Sequence, residues 1–154
     1  MRGYLLDNNH VEAYFRQVPS VVTKIESVPP EWLIMVCAVT LGEIQAGHLM
    51  TKTTDEERRK EYVRFVNDKF LHHALEVSFT TRIPYGKILG AIWRNHPPSE
   101  GISTERHLVN LGVDINDVWA VAMAWERNLP FVTEDKLSCI REAVKDNVAF
   151  ECWL

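Results

Sequence analysis

Short apolar runs, separated by stretches of helical periodicity, constrain this chain more than any other feature. Tyr4-Leu5-Leu6, Trp32 to Cys37, Leu75 to Phe79, Leu129 to Thr133 and Val148 to Trp153 are each too brief for a helix and read as strands. Trp32 to Cys37 is apolar without alternation, as in a central parallel strand covered on both faces. Between the runs, Val11, Tyr14 and Phe15 recur at helical spacing. Pro19 opens a second helix with Val21, Val22 and Ile25, and Pro29-Pro30 stops it. Further helices are expected from Thr40 to Met50 and from Thr54 to Leu71, the latter with Tyr62, Phe65, Val66 and Phe70 as its buried stripe and Glu56 to Lys60 solvated. Others are expected from Ile83 to Trp93, Thr104 to Leu111, Ile115 to Arg127 and Glu134 to Lys145. The Ile115 helix is apolar nearly all round, so it should be buried on most sides. Strands alternating with helices predict an α/β domain with a mostly parallel sheet and right-handed crossovers.

The 154 residues fit one domain, 1–154, and an apolar fraction of 46% is enough to fill a core. No repeat or long linker divides the chain. The formal charge of −4 excludes a protein that holds nucleic acid by bulk positive charge, so any such contact must be local or bridged by a cation. Cys37, Cys139 and Cys152 form neither CxxC nor a zinc spacing, which points to reduced thiols in a cytoplasmic protein. The apolar stretch before Asp7 is too short for a signal-peptide core, and no segment approaches the roughly 18 apolar residues of a membrane span. The expectation is a soluble chain with no membrane partner.

The chemistry is expected where acids follow strands. Asp7 ends the first run, Glu43 lies in the first turn of the helix after the second, Asp117 opens the apolar helix, and Asp135 follows the run ending at Thr133. In a parallel sheet these positions share one edge, where ligands bind. Each acid also has a plain structural role. Asp7 suits a helix cap, Thr40-x-x-Glu43 matches a capping box, Asp114-x-x-Asp117 matches a looser one, and Thr133 or Asp135 would cap the last helix. Together, however, the acids repel: a like pair about 4 Å apart costs about 4 kcal/mol at an effective dielectric of about 20. A divalent ion relieves that cost, and oxygen-only ligands select Mg²⁺ or Mn²⁺. Such an ion bridges to phosphate, which explains how an acidic protein would hold RNA.

Four segments resemble the motifs of PIN domains: Tyr4-Leu5-Leu6-Asp7-Asn8-Asn9, Thr40-Leu41-Gly42-Glu43-Ile44-Gln45-Ala46-Gly47, Ile115-Asn116-Asp117-Val118-Trp119-Ala120-Val121-Ala122 and Phe131-Val132-Thr133-Glu134-Asp135. Their order and spacing cover nearly the whole chain and look most like the VapC-like toxins of bacterial type II toxin–antitoxin pairs. The resemblance implies a five-stranded parallel sheet between helices in an α/β/α sandwich. It also implies Mg²⁺-dependent endoribonuclease activity through a metal-activated water, a cognate antitoxin and a homodimer. On this reading Asp7, Glu43 and Asp117 hold the ion and Asp135 assists with a second ion or a water. Asn8 stands where many relatives have Thr or Ser, and its amide keeps the ability to hydrogen-bond a water or a phosphate. Thr133 matches a common family hydroxyl expected to orient a water.

Arg82, Lys87 and Arg94 fall at roughly helical spacing and are candidates for guiding an RNA backbone, against a plain reading as solvated surface. His10 and His48 lie within a turn or two of the acids, but structural roles are favoured for both. His72-His73 suits a helix C-terminus. Two rivals remain at this stage. An Mg²⁺-dependent phosphatase needs a second Asp two residues after the nucleophile, where this chain has Asn9. A non-catalytic PIN-like module would bind RNA or protein without cutting.

Overall fold

The computed structural model describes residues 2–50 and 55–154. Strand β1 (Gly3–Leu6) is central. It pairs in parallel with β2 (Leu33–Met35) on one side and β3 (Phe131–Val132) on the other, and β3 pairs in parallel with β4 (Phe150–Glu151), giving the order β2-β1-β3-β4. The helices are α1 (Asn8–Phe15), α2 (Pro19–Ser27), α3 (Ala38–Met50), α4 (Glu56–Phe70), α5 (Arg82–Asn95), α6 (Thr104–Asn110), α7 (Ile115–Arg127) and α8 (Ser138–Val144). The expected start of α4 at Thr54 lies outside the described residues.

Alternation along β1 sorts the core into two layers. Leu5 shares its core with Ile88 and Ile92 of α5, Val118 and Ala120 to Ala124 of α7, and Ile140 and Val144 of α8. Its neighbour Leu6 faces Val11 of α1, Val21 of α2, Ile44 of α3, and Val66 and Phe70 of α4, with Trp153 completing that layer. Successive strand side chains point to opposite faces, so apolar pairs such as Leu5-Leu6 and Met35-Val36 supply both cores at once. The result is the expected α/β/α sandwich.

The sheet has four strands among the described residues rather than five. The run from Leu75 contributes only a parallel bridge between Leu75 and Cys37, held by Leu75 N–H to Val36 O and Ala38 N–H to Leu75 O, both 2.8 Å. Beyond it Val77 is 45% and Phe79 79% exposed. Local hydroxyls divert the backbone there. Ser78 and Thr81 form a reciprocal capping box around a 3₁₀ turn (Phe79–Thr81), and the hydroxyls of Ser78, Thr80 and Thr81 all donate to the Glu126 carboxylate on α7.

Two helix starts also differ from expectation. Helix α3 begins at Ala38 because the buried Cys37 sulfur accepts from Thr40 N–H at 3.5 Å, so no Thr40–Glu43 capping box forms. Helix α8 begins at Ser138 rather than Glu134. Thr133 Oγ1 accepts from Asp135 N–H at 3.0 Å, and Leu137 then takes a left-handed conformation, φ +44°.

Gly3 leaves no space for a side chain between β1 and β2. A Cβ there would lie 2.0 Å from the Leu33 carbonyl oxygen, across the register pair Gly3–Leu33. Gly3→Ala should therefore destabilise the chain by about 1–3 kcal/mol, the usual range for overpacking. Urea denaturation measures this, and an unchanged midpoint would show that the β1–β2 spacing yields freely.

Candidate metal centre

The parallel register brings the strand ends to one edge. Asp7 N–H donates to Val132 O at 3.0 Å, which places the first acid of β1 beside the end of β3. Asp7 is 8% exposed and caps α1, accepting from His10 N–H at 3.1 Å. The capping reading and the site reading thus apply to the same residue. With no capping box formed, Glu43 turns its carboxylate away from its own helix start, and Asn116 Nδ2 of α7 donates to Glu43 Oε1 at 2.9 Å. Asp114 caps α7 by accepting from Asn116 N–H at 2.8 Å, which leaves Asp117 one residue further into the first turn. Asp135 is exposed at the lip, with Asn9 Nδ2 donating to its Oδ2 at 3.2 Å.

Asp7, Glu43, Asp117 and Asp135 all line one cleft of about 280 Å³, together with Asn8, Asn9, Thr40, Asp114, Asn116, Ala120 and Phe131. Asn8 is in the cleft, with its Oδ1 accepting from the Tyr62 hydroxyl of α4 at 3.1 Å. Thr133 is not among the lining residues. It is buried, and its hydroxyl accepts from the backbone N–H of Asp135. Nor do Arg82, Lys87 and Arg94 line it. The Arg82 guanidinium stacks over Phe79 at 4.3 Å from the ring centre, and the Lys87 ammonium lies over Trp125 at 5.6 Å. Both belong to the part of the molecule around Glu126, at the other end of α7 from Asp117. His10 is fully buried and bonded to Asp7.

Asp114, Asn116, Asn9 and Tyr62 had no assigned place in the site. Asp114 and Asn116 flank an acid on a helix start, which is the one available signal. Tyr62 carries none beyond its position on a buried stripe.

The electrostatics of the cleft are unfavourable to its own charges. Burial pushes the Asp117 carboxyl up to about 7, and the carboxylates of Asp114, Asp135, Glu43 and Asp7 add to the rise. Among the described residues no three His, Cys, Asp or Glu side chains already stand at ion-sharing distance, so the acids form an open cleft rather than a closed cage. The donor set fits a hard divalent ion. Apart from Ala120 and Phe131, the lining offers carboxylate, amide and hydroxyl groups, and a cation would relieve the repulsion felt at Asp117.

Comparison with solved structures places the architecture. VapBC2 from Rickettsia felis, bound to a promoter DNA fragment, matches with a TM-score of 0.67 and 19% identity over 98% of both chains. The fold is that of a VapC-like PIN domain. DNA-bound VapBC from Salmonella typhimurium matches this chain with a TM-score of 0.70 and 18% identity over all of both chains. VapBC-5 from Mycobacterium tuberculosis matches with 0.58 and 22% identity over 99% of this chain and 98% of that one. No family model and no curated protein matches the sequence. No helix among the described residues is long and apolar enough to cross a membrane.

The raised Asp117 pKa predicts a pH-dependent stability. Between its unfolded value near 3.8 and about 7 the folded state holds a proton that the unfolded state has lost. Stability from this group is therefore fully present below about pH 4 and lost as the pH rises through about 7. In EDTA, Asp117→Asn should gain stability relative to the parent protein at pH 8 and gain little at pH 4. Urea midpoints at the two pH values measure the difference, and an equal effect at both would contradict the burial and repulsion described.

Proposed function

We propose that this chain is a magnesium-dependent endoribonuclease and the toxin of a toxin–antitoxin pair. The observation that carries the proposal is the gathering of Asp7, Glu43, Asp117 and Asp135, drawn from four separate segments, onto one cleft of a PIN-type fold. Asp7, Glu43 and Asp117 would hold Mg²⁺, with Mn²⁺ as a substitute, and Asp135 at the lip would assist. When bound, the ion would supply the positive charge that the phosphodiester requires and would acidify an attacking water.

The chain's own groups prepare that event. The Asp117 carboxyl is pushed up to about 7, and a cation beside it would favour its ionised form, so metal uptake would release protons. Asn116 and Asn9 each occupy one oxygen of a neighbouring acid, which fixes Glu43 and Asp135 without neutralising them. Asn8 offers its amide nitrogen as a donor to a phosphate oxygen, because its own oxygen is taken by Tyr62. Acidic overall charge leaves non-specific RNA binding weak and makes the ion the chief electrostatic link.

The partner proposed is a cognate antitoxin. The similar structures are toxin–antitoxin complexes, two of them bound to DNA, and this supports such a partner for the present chain. A homodimer is the assembly expected from the resemblance, with size-exclusion chromatography coupled to light scattering as its test.

Asp7→Asn and Asp117→Asn should each lower RNA cleavage at least about 100-fold, beyond the 10- to 100-fold that loss of a ligand's supporting partner typically costs. EDTA should abolish cleavage and Mn²⁺ should restore it. Undiminished activity in either folded variant, or cleavage in the absence of divalent ions, would reject the proposal.

A further inference from the structure

Asp7 is held by one residue through two bonds. Its Oδ1 accepts from His10 N–H at 3.1 Å and lies 3.1 Å from His10 Nδ1. The first bond is an ordinary helix cap that any residue at position 10 would make. The second depends on the imidazole, and the other side of that ring identifies its direction. Trp153 N–H points at His10 Nε2 at 3.1 Å. A backbone N–H only donates, so Nε2 accepts and the ring proton sits on Nδ1, where it donates to Asp7 Oδ1. The ring is fully buried, 0% exposed, and stands edge-on to the Trp153 indole, and a flip would break the bonds at both nitrogens. Trp153 is itself fixed, by its indole N–H donating to Glu151 Oε2 at 2.8 Å and by edge contact with Tyr4 at 5.0 Å.

From this chain of bonds we infer that His10 is a positioning residue for the metal centre. Trp153 sets the tautomer of His10, and His10 sets the rotamer of Asp7. Both bonds fall on Oδ1, so Oδ2 is the oxygen left for the cation. Rotating the carboxylate would break the Nδ1 bond and leave a buried N–H without a partner, which is costly. A histidine serving only to fill the core would need neither this tautomer nor this direction. The inference rests on the metal-dependent reading of the cleft given above.

The test is Mn²⁺ affinity, titrated by electron paramagnetic resonance of the free ion, in the parent protein, His10→Phe, His10→Gln, Asp7→Asn and Val21→Ala. Val21 is buried in the layer that holds Trp153, the residue against the His10 ring, and its truncation reports the effect of core loosening alone. Phe keeps the ring and removes both side-chain bonds. Gln restores a donor and an acceptor at a separation close to that of the ring nitrogens. His10→Phe should weaken Mn²⁺ binding about 10- to 100-fold, His10→Gln should recover most of the loss, and Val21→Ala should leave the affinity unchanged. In RNA cleavage at fixed metal, kcat should fall with His10→Phe while KM stays near that of the parent.

¹⁵N spectroscopy of the unmodified protein gives a second measurement that needs no variant. A pyrrole-like Nδ1 and a pyridine-like Nε2 are expected at His10. The opposite tautomer overturns the inference, whether or not His10→Phe folds. So does parental Mn²⁺ affinity in folded His10→Phe, or an equal loss in Val21→Ala. Absence of any Asp7-dependent Mn²⁺ binding in the parent overturns the metal reading itself, and this inference with it. Asp7-dependent binding that is indifferent to His10 overturns the inference alone.

Discussion

The parallel pairing of β1 between β2 and β3 is the constraint on which the rest depends. Leu5 N–H to Pro130 O and Asp7 N–H to Val132 O, both 3.0 Å, lock the end of the first strand beside the end of the third across more than 120 residues of sequence. That pairing splits Leu5 and Leu6 between two cores, and burial of apolar side chains on both faces is what makes the register costly to shift. A slip by one residue would exchange the two faces and turn Asp7 out of the cleft. The site is in this sense a by-product of hydrophobic sorting, and the sheet carries the repulsion among the acids as a local cost.

That cost is visible where it would be expected. Asp117 sits on a deeply packed helix with other carboxylates nearby, so burial and repulsion both oppose its charged form. Neutral amides from Asn9 and Asn116 soften the arrangement by donating to two of the neighbouring acids. A fold selected only for stability would gain by replacing one of these carboxylates with an apolar or amide side chain. Four acids sharing one cleft are a local electrostatic cost of the kind that clusters at binding sites.

The strand and helix pattern was largely legible because most of it rests on short-range periodicity. Helix α7 begins at Ile115 and ends at Arg127, as its apolar run and the capping Asp114 imply. Sequence also pointed to the four acids, because each lies at a strand end or a helix start and a parallel sheet gathers such positions. Misreadings arose where side chains compete with the backbone. The Leu75 run has strand composition, but the hydroxyls of Ser78 and Thr81 and the remote carboxylate of Glu126 bend it into a 3₁₀ turn. Thr133 also holds the turn that carries Asp135, a backbone contact that its place at a strand end does not announce. The fine structure of the cleft was illegible for another reason. Its links join Asn9 to Asp135, Glu43 to Asn116 and Asn8 to Tyr62, pairs that no local window relates.

The bond from Trp153 to His10 spans 143 positions of sequence. During synthesis, the segment bearing Asp7 leaves the ribosome long before its last support does. Strand β4 and the tail that follows it must emerge, dock and seat the indole before the imidazole acquires its second contact. A nascent or clipped chain would therefore carry every acid of the cleft while lacking the brace behind the first of them.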